Sequence, residues 1–136
     1  MYKKFFMALM IFGILISGSV ANAELKTYEG VGEWYVKENE TLDEAKDKAV
    51  LLAESDIIEQ VEVFVASYSE AHNFHLTKDE IITIAAGVVY PVDKKYDLIE
   101  EFDGVLLIKA IVIATVDTEK VVELIEFEKS RRAAKN

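Results

Sequence analysis

Two histidines, His72 and His75, are the first residues of this chain that could do chemistry. They are its only histidines, and they stand three positions apart in Ala71-His72-Asn73-Phe74-His75. Imidazoles at that spacing can share a metal ion in a helix or turn, and Glu70 or Asp79 could add a carboxylate ligand. Because no His-Glu-x-x-His motif is present, a solvated loop is the favoured interpretation. We expect no metal and no cofactor, and a small-ligand or metal-cation binding protein remains the alternative.

Carboxylates are the second candidate group, crowded around Asp103-Gly104 as Asp93, Asp97, Glu100, Glu101 and Asp103. A pair such as Asp97 and Glu101 could supply the acid and base of a glycosidase, and hard oxygen ligands also suit calcium. The chain has 25 acidic residues, so such pairs arise by chance, and no D-x-D-x-D-G loop is present. A charged, solvated hairpin end is favoured, and a secreted carboxylate-based hydrolase is the second alternative.

Other kinds of catalytic or binding site have less support. The chain has no cysteine and no G-x-S-x-G motif for a nucleophile. Gly30-Val31-Gly32 lacks the third glycine of a phosphate-binding loop. Trp34, Tyr28 and Tyr35 could form a stacking platform, although strand aromatics more often cover a core or an edge. We therefore predict that the protein is not an enzyme.

The N-terminal residues predict export. Met1–Lys4 carries two lysines, Phe5–Gly18 is almost wholly apolar, and Ala21-Asn22-Ala23 ends in small residues. These are the three parts of a secretory signal peptide, with cleavage between Ala23 and Glu24. The alternative is an uncut anchor, because the uncharged run Phe5–Ala23 is 19 residues long. We expect a 1–23 signal peptide, a single α/β envelope domain over 24–136, and a periplasmic, extracellular or cell-surface location.

Charge narrows the choice of partner. The net charge is −10, and Lys3 and Lys4 belong to the predicted leader, so residues 24–136 carry −12. Such an excess repels nucleic acid and anionic lipid, so membrane contact is expected only through the signal peptide. The expected partner is another envelope protein or a second copy of the chain, although solubility is the favoured reason for the charge.

A strand and a helix open the predicted domain. Tyr28–Val36 alternates and is rich in aromatic and β-branched residues, and Gly30 and Gly32 remove two side chains from one of its faces, which would let a helix or ring approach. Thr41 and Glu44 form a capping box that begins a helix, and Glu44 can pair with Lys48. Ala45, Ala49, Ala53 and Ile57 then form an apolar stripe of mostly small side chains.

The stretch after that helix fits two patterns. Val61, Val63 and Val65 alternate with other residues, which favours a strand over Val61–Ser69. The same region also fits a helix, whose apolar stripe would be Ile57, Val61, Phe64, Val65 and Tyr68. A second capping box at Thr77 and Glu80 predicts a helix through Ala86, ended by Gly87. Asp117 or Thr118 caps a last helix through about Arg132.

Asp103-Gly104 is the strongest hairpin signal and predicts that Val88–Phe102 pairs with Val105–Val116. A two-residue loop places Tyr96 opposite Ile111, Pro91 at a bulge or outer edge, and the second strand at the sheet centre with both faces covered. The predicted core face comprises Tyr90, Val92, Tyr96, Leu98, Phe102, Leu107, Ile111 and Ile113.

The expected fold is therefore α/β (α+β), a mixed or antiparallel sheet of three to four strands with about three helices packed on it. The predicted function is an exported, non-enzymatic binding or assembly module of the bacterial cell envelope. Its contact surface is expected to be the sheet face or edge that the helices leave open, with Asp93–Glu101 and Val61–Ser69 as the contact segments.

The succession of motifs supports this interpretation through a family resemblance. The motifs are Gly30-x-Gly32-Glu33-Trp34-Tyr35, Glu40-Thr41, Ala45-Lys46-x-Lys48-Ala49, Val63-Phe64-Val65-x-Ser67-Tyr68-Ser69-Glu70, Leu76-Thr77-Lys78-Asp79-Glu80-Ile81, Ala85-Ala86-Gly87-Val88 and Thr115-Val116-Asp117. The chain resembles small exported proteins related to the N-terminal domain of the flagellar T-ring assembly protein and to LPP-type surface lipoproteins. The resemblance implies a compact α/β domain without catalytic residues. The lipid-bearing cysteine of the lipoproteins is absent here.

Overall fold

A computed structural model describes residues 24–101 and 103–136. The elements are β1 Leu25–Tyr35, α1 Leu42–Ala71, α2 Lys78–Val88, β2 Val89–Glu100, β3 Leu106–Asp117 and α3 Thr118–Lys135. The strands form one antiparallel sheet in the order β1-β3-β2. This architecture confirms the predicted α/β (α+β) class. The predicted leader, with Ala21 and Ala23, lies outside the described residues, so cleavage before Glu24 stays a prediction.

The seating of α1 on β1 depends on the two strand glycines. A Cβ atom on Gly30 would lie 2.1 Å from the carbonyl oxygen of Ala53, and one on Gly32 would lie 2.0 Å from the carbonyl oxygen of Ala49. Both alanines are fully buried. Small residues on both elements therefore bring the helix backbone directly onto the strand, as the spacing of the glycines predicted.

α1 is one continuous helix of 30 residues, so the predicted strand Val61–Ser69 is wrong. Val61, Val65 and Ser69 extend the buried stripe that begins at Ala45, with one residue every four positions. The helix penalty of a valine is only about half a kcal/mol relative to alanine. Burial of the valine side chains outweighs it, and no glycine or proline interrupts the stretch.

Polar side chains cap the N-terminal ends of α1, α2 and α3. Thr41 Oγ1 accepts a hydrogen bond from the Glu44 N–H at 3.2 Å, and the Glu44 carboxylate accepts from the Thr41 N–H at 3.0 Å, which completes the capping box of α1. Thr77 caps α2, which runs one residue beyond Gly87 before Val89 begins β2. Asp117 caps α3 through the N–H groups of the next turn.

The β2–β3 hairpin has a different register from the predicted one. The Glu101 N–H bonds the Val105 oxygen at 2.9 Å, so three residues, 102–104, separate the strands instead of two. Gly104 has a φ of +81°, which suits the last position of a three-residue loop. The register also shifts between Pro91 and Asp93, which confirms the expected bulge at the proline.

The changed register moves the core to the other face of β3, whereas Tyr96 and Leu98 of β2 stay on the helix-covered side. A slip of one residue turns every side chain of a strand to the opposite face. The buried face of β3 consists of Ile108, Ala110, Val112, Ala114 and Val116. Of the predicted core residues that are described, Leu107 is buried; Tyr96, Ile111 and Ile113 are half-buried; and Tyr90, Val92 and Leu98 are exposed. Phe102 lies outside the described residues.

The three helices of the described residues contribute to one core on one side of the sheet. Ile84, Ala85 and Val88 of α2 and Val121 and Ile125 of α3 join the α1 stripe and the buried face of β3. β3 is central, as predicted, but helices cover only one of its faces. No helix within residues 24–101 and 103–136 is long and apolar enough to span a bilayer.

Candidate interaction surface

The side of the sheet opposite the helices forms the candidate interaction surface, here called the open face. Registers of both strand pairs place alternate residues of each strand on it. These residues are Thr27, Glu29, Val31, Glu33 and Tyr35 of β1; Leu107, Lys109, Ile111, Ile113 and Thr115 of β3; and Tyr90, Asp93, Lys95, Asp97 and Ile99 of β2. No described helix packs on this side.

The open face has an apolar centre and acidic flanks. Ile111 and Ile113 lie on the central strand and stay half-buried, since residues of both neighbouring strands shield them. Ile113 stands between Glu29 and Asp93 in the pairing of the strands. This side of the sheet carries four carboxylates and two amines. They belong to Glu29, Glu33, Asp93 and Asp97, and to Lys95 and Lys109. The surface therefore combines apolar side chains with a negative excess.

One edge of the sheet is closed by side chains of α1. The Val31 N–H points away from β3 and donates to Asp56 Oδ2 at 3.0 Å. Gln60 Nε2 donates to the Glu29 carbonyl oxygen at 2.9 Å. An unpaired strand edge invites pairing with another chain, and side chains that occupy its backbone groups prevent it. The middle of β1 is thus protected.

The other edge is open along the second half of β2. The Glu101 N–H faces β3, so the alternating residues Lys94, Tyr96, Leu98 and Glu100 direct their backbone groups outward. The Lys94 N–H is taken by Asp93 Oδ1 at 2.9 Å. Among the described residues, no hydrogen bond reaches the outward backbone groups of the other three. This edge is available to a further strand.

A polar cluster around Glu40 holds the loop between β1 and α1. Trp34 Nε1 donates to Glu40 Oε1 at 2.8 Å, Lys48 Nζ bonds the other carboxylate oxygen, and the Lys37 N–H lies 3.3 Å from Oε1. The amines of Lys37 and Lys48 lie 4.7 and 4.8 Å from the Trp34 ring centre. Lys48 thus pairs with Glu40, whereas Glu44 caps the helix.

These contacts change the acidity of Glu40. The hydrogen bond from Lys48 holds the pKa of the carboxyl below its ordinary value of 4.5, with smaller contributions in the same direction from Trp34 and Lys37. Burial of the side chain, which is 6% exposed, opposes them. The cluster therefore stabilises the ionised carboxylate. Trp34 belongs to this loop support, which disfavours its use as a stacking platform.

A second polar cluster joins α3 to α2. Arg132 donates to the His75 carbonyl oxygen and to Glu80 Oε1, both at 2.5 Å, and its guanidinium lies 4.7 Å from the Phe74 ring centre. Burial raises the pKa of Glu80, but the bonds from Arg132 and Thr77 outweigh it and leave that pKa lowered. Glu80 Oε2 is buried without a hydrogen-bond partner among the described residues.

Both histidines take part in contacts within the fold, His72 through its ring and His75 through its backbone. The His72 ring stacks on Tyr68 with centroids 4.2 Å apart, and its Nδ1 lies 2.8 Å from the Tyr68 carbonyl oxygen. The backbone of His75 is held by Arg132. Within 24–101 and 103–136, no three His, Cys, Asp or Glu side chains are grouped to hold a metal ion.

Asp97 and Glu101 occupy the same face of the sheet, four residues apart on one extended segment. At about 3.4 Å per residue their Cα atoms lie about 14 Å apart. The paired carboxylates of glycosidases lie about 5–9.5 Å apart. Surface concavities nearby are shallow and open, such as one of about 410 Å³ lined by Tyr35, Glu101, Asp103 and Val105. This geometry gives no support to acid–base catalysis.

In comparisons with known proteins, no family model, no curated protein and no solved structure matches the chain. The resemblance to the flagellar T-ring and LPP families therefore stays a prediction from sequence motifs.

Several contacts were missed by the sequence analysis. The closure of β1 by Asp56 and Gln60 has no local signal, since these residues are 25 and 31 positions from their partners. The bond from Arg132 to Glu80 spans 52 positions. The partners in the Glu40 cluster are closer in sequence, since Trp34 and Lys48 lie 6 and 8 positions from Glu40.

Proposed function

We propose that this chain is an exported, non-enzymatic binding or assembly module of the bacterial cell envelope. The observation that carries the proposal is the open face, where apolar side chains of the central strand lie uncovered by any described helix. Sheets with one uncovered apolar face commonly use it to pack against another element. The leader and the motif resemblance support the location and the lack of catalysis.

The chemistry of the open face favours a partner protein with apolar residues flanked by lysine or arginine. Glu29, Glu33, Asp93 and Asp97 surround the apolar centre, and residues 24–136 carry a net charge of −12. Complementary charge steers association and excludes partners of like charge. Nucleic acid is excluded on the same grounds, and contact with the membrane is assigned to the leader alone.

The test is site-specific crosslinking in intact cells. A photoreactive amino acid at Val31, on the open face, should capture a protein partner through a basic and apolar peptide. The same amino acid at Val63, 67% exposed on the outer side of α1, is the matched control and should not. The double variant Glu29→Lys/Glu33→Lys should abolish capture at Val31, because it reverses the charge on one flank.

Equal capture at both positions, no capture at Val31, or capture that survives the charge reversal would each contradict the proposal. Among the described residues, neither the histidines nor the Asp97–Glu101 pair has a site geometry that supports one of the alternative functions.

A further inference from the structure

We propose that β2 pairs edge to edge with β2 of a second copy of this chain, with Leu98 at the two-fold axis. The two three-stranded sheets then form one continuous antiparallel sheet. The inference rests on the proposed function, since it names one partner of the interaction module and the edge that binds it.

Backbone groups determine which residues can pair. Two antiparallel strands exchange hydrogen bonds only at residues whose N–H and C=O point toward each other, which are alternate residues of each edge. Along Lys94–Glu100 of β2, the residues whose outward N–H and C=O groups both lack a partner are Tyr96, Leu98 and Glu100, because Asp93 occupies the Lys94 N–H. On β1, Asp56 and Gln60 occupy the central groups. The β2 edge is therefore the available one.

Centring the pair on Leu98 uses this set of three residues and no other. Leu98 then faces Leu98 of the second copy, and Tyr96 of each copy faces Glu100 of the other. Each facing pair exchanges two bonds, so the arrangement forms roughly six backbone hydrogen bonds. It also brings together the two Leu98 side chains, which are 54% exposed in the single chain.

The charges on the open face agree with the same register. Lys95 of each copy stands opposite Glu101 of the other, and Asp97 stands opposite Ile99. Opposite charges that face each other across two strands stabilise their pairing. Between Lys95 and Glu101, no two like charges are directly opposite in this arrangement.

Neighbouring registers fit less well. Centring on Asp97 places this carboxylate opposite its own copy and Asp93 opposite Glu101, and like charges in facing positions are destabilising. Centring on Tyr96 requires the Lys94 N–H, which Asp93 already occupies, and brings the bulge at Pro91 next to the paired strand. The register centred on Leu98 avoids both problems.

The test exchanges the charges of facing residues. It uses the full chain, purified after the cell has processed it. Sedimentation equilibrium is measured up to about 1 mM protein, a range that reaches weak complexes, at about 0.15 M salt, where the screening length is about 8 Å. Wild type should dimerise reversibly. Lys95→Glu and Glu101→Lys should each weaken dimerisation at least about tenfold, and the double variant should return it to within about threefold of wild type.

The matched control is Glu126→Lys with Lys129→Glu, two exposed residues of α3 that receive the same charge changes far from β2. These variants should dimerise as wild type does. A wild-type chain that stays monomeric, single variants that dimerise normally, or a double variant that is not rescued would each overturn the proposal.

A second measurement uses the absence of cysteine from the chain. Facing residues of a hydrogen-bonded pair have Cα atoms about 5.5 Å apart, within the range of about 4.4–6.8 Å for a disulfide. Leu98→Cys should therefore form a disulfide-linked dimer under mild oxidation. Val63→Cys, which is more exposed and lies on α1, is the control. Crosslinking at Leu98 no faster than at Val63 would overturn the proposal.

The two proposals fail separately. If Leu98→Cys does not crosslink while the photoreactive Val31 still captures a basic partner, only the pairing of two copies is wrong. If copies pair through Leu98 while Val31 captures nothing, the interaction edge stands and the proposed open-face partner is wrong.

Discussion

The main chain of Ala53 lies so close to Gly30 that a Cβ atom on the glycine would be 2.1 Å from the alanine carbonyl oxygen. A Cβ atom on the next glycine of the same face, Gly32, would lie 2.0 Å from the carbonyl oxygen of Ala49. Because the contacts are with backbone atoms, a side-chain rotation cannot relieve them. The close packing of α1 on β1 therefore depends on the absence of a Cβ atom at Gly30 and at Gly32.

Gly30→Ala and Gly32→Ala should each destabilise the fold by about 3 kcal/mol or more, since overpacking against a backbone forces the helix away from the sheet. The free energy of unfolding by urea measures the effect. Gly87→Ala is the matched control. Its Cβ meets nothing within 4 Å, and alanine in a helix is about 0.5–1 kcal/mol more stable than glycine. Stability losses of similar size at Gly30 and Gly87 would contradict this account.

Acid should destabilise the fold through Glu40 and Glu80. Both carboxyls have lowered pKa values in the folded protein, so their contribution is present at neutral pH. It is lost as the pH falls below the ordinary value of 4.5 and through the lowered folded values, because the folded state must then take up protons against its hydrogen bonds.

Glu40→Gln and Glu80→Gln should therefore reduce the dependence of unfolding free energy on pH over this acidic range, as measured by urea unfolding at a series of pH values. Glu126→Gln, on an exposed position of α3, should leave the dependence as it is in wild type. An unchanged slope in the Glu40 and Glu80 variants would show that these carboxylates are not responsible.

Arg132→Ala should release the end of α3 from α2. The change removes bonds to Glu80 and His75 and the stacking on Phe74, and it leaves the half-buried Glu80 without its salt-bridge partner. We expect a loss of about 1 kcal/mol, because the guanidinium is partly exposed and solvent screens the pair. A thermodynamic cycle with Glu80→Gln measures the coupling. Arg131→Ala, which breaks the exposed pair with Glu128, should cost less.

Asp56→Ala combined with Gln60→Ala should open the protected edge of β1. Each substitution removes one hydrogen bond to the strand backbone, so the loss of stability should be about 1 kcal/mol per bond. Two open edges on one sheet allow chains to add at both sides, so the variant should form large assemblies on warming, detected by light scattering. Glu59→Ala, exposed on the same helix, should not aggregate.

Sequence patterns predicted correctly those features that depend on interactions between residues close together in the chain. Capping by Thr41 and Asp117, the small-residue stripe of α1 and the bulge at Pro91 follow from neighbouring residues, and the structure contains all of them. The α+β class followed from the same elements. The close approach at Gly30 was also predictable, since two glycines on one strand face and alanines on one helix face are complementary.

The error at Val61–Ser69 shows where local reasoning ends. Its alternation of β-branched residues and its four-residue stripe are both present in the letters, and their intrinsic preferences differ by less than about 1 kcal/mol. Only the position of the β3 core, which can bury Val61 and Val65 through a helix, decides between them.

The sequence alone thus determined the helix caps, the small-residue stripe of α1 and most of the elements, because these depend on contacts within a few residues or on simple complementarity. The tertiary structure decided the register of β2 on β3, which sheet face is buried, and which edge Asp56 and Gln60 close. The physical reason is that side chains alternate between the two faces of a strand. One extra loop residue therefore turns the side chains of one strand to the opposite face relative to its neighbour, and burial across the whole sheet decides which loop length is adopted.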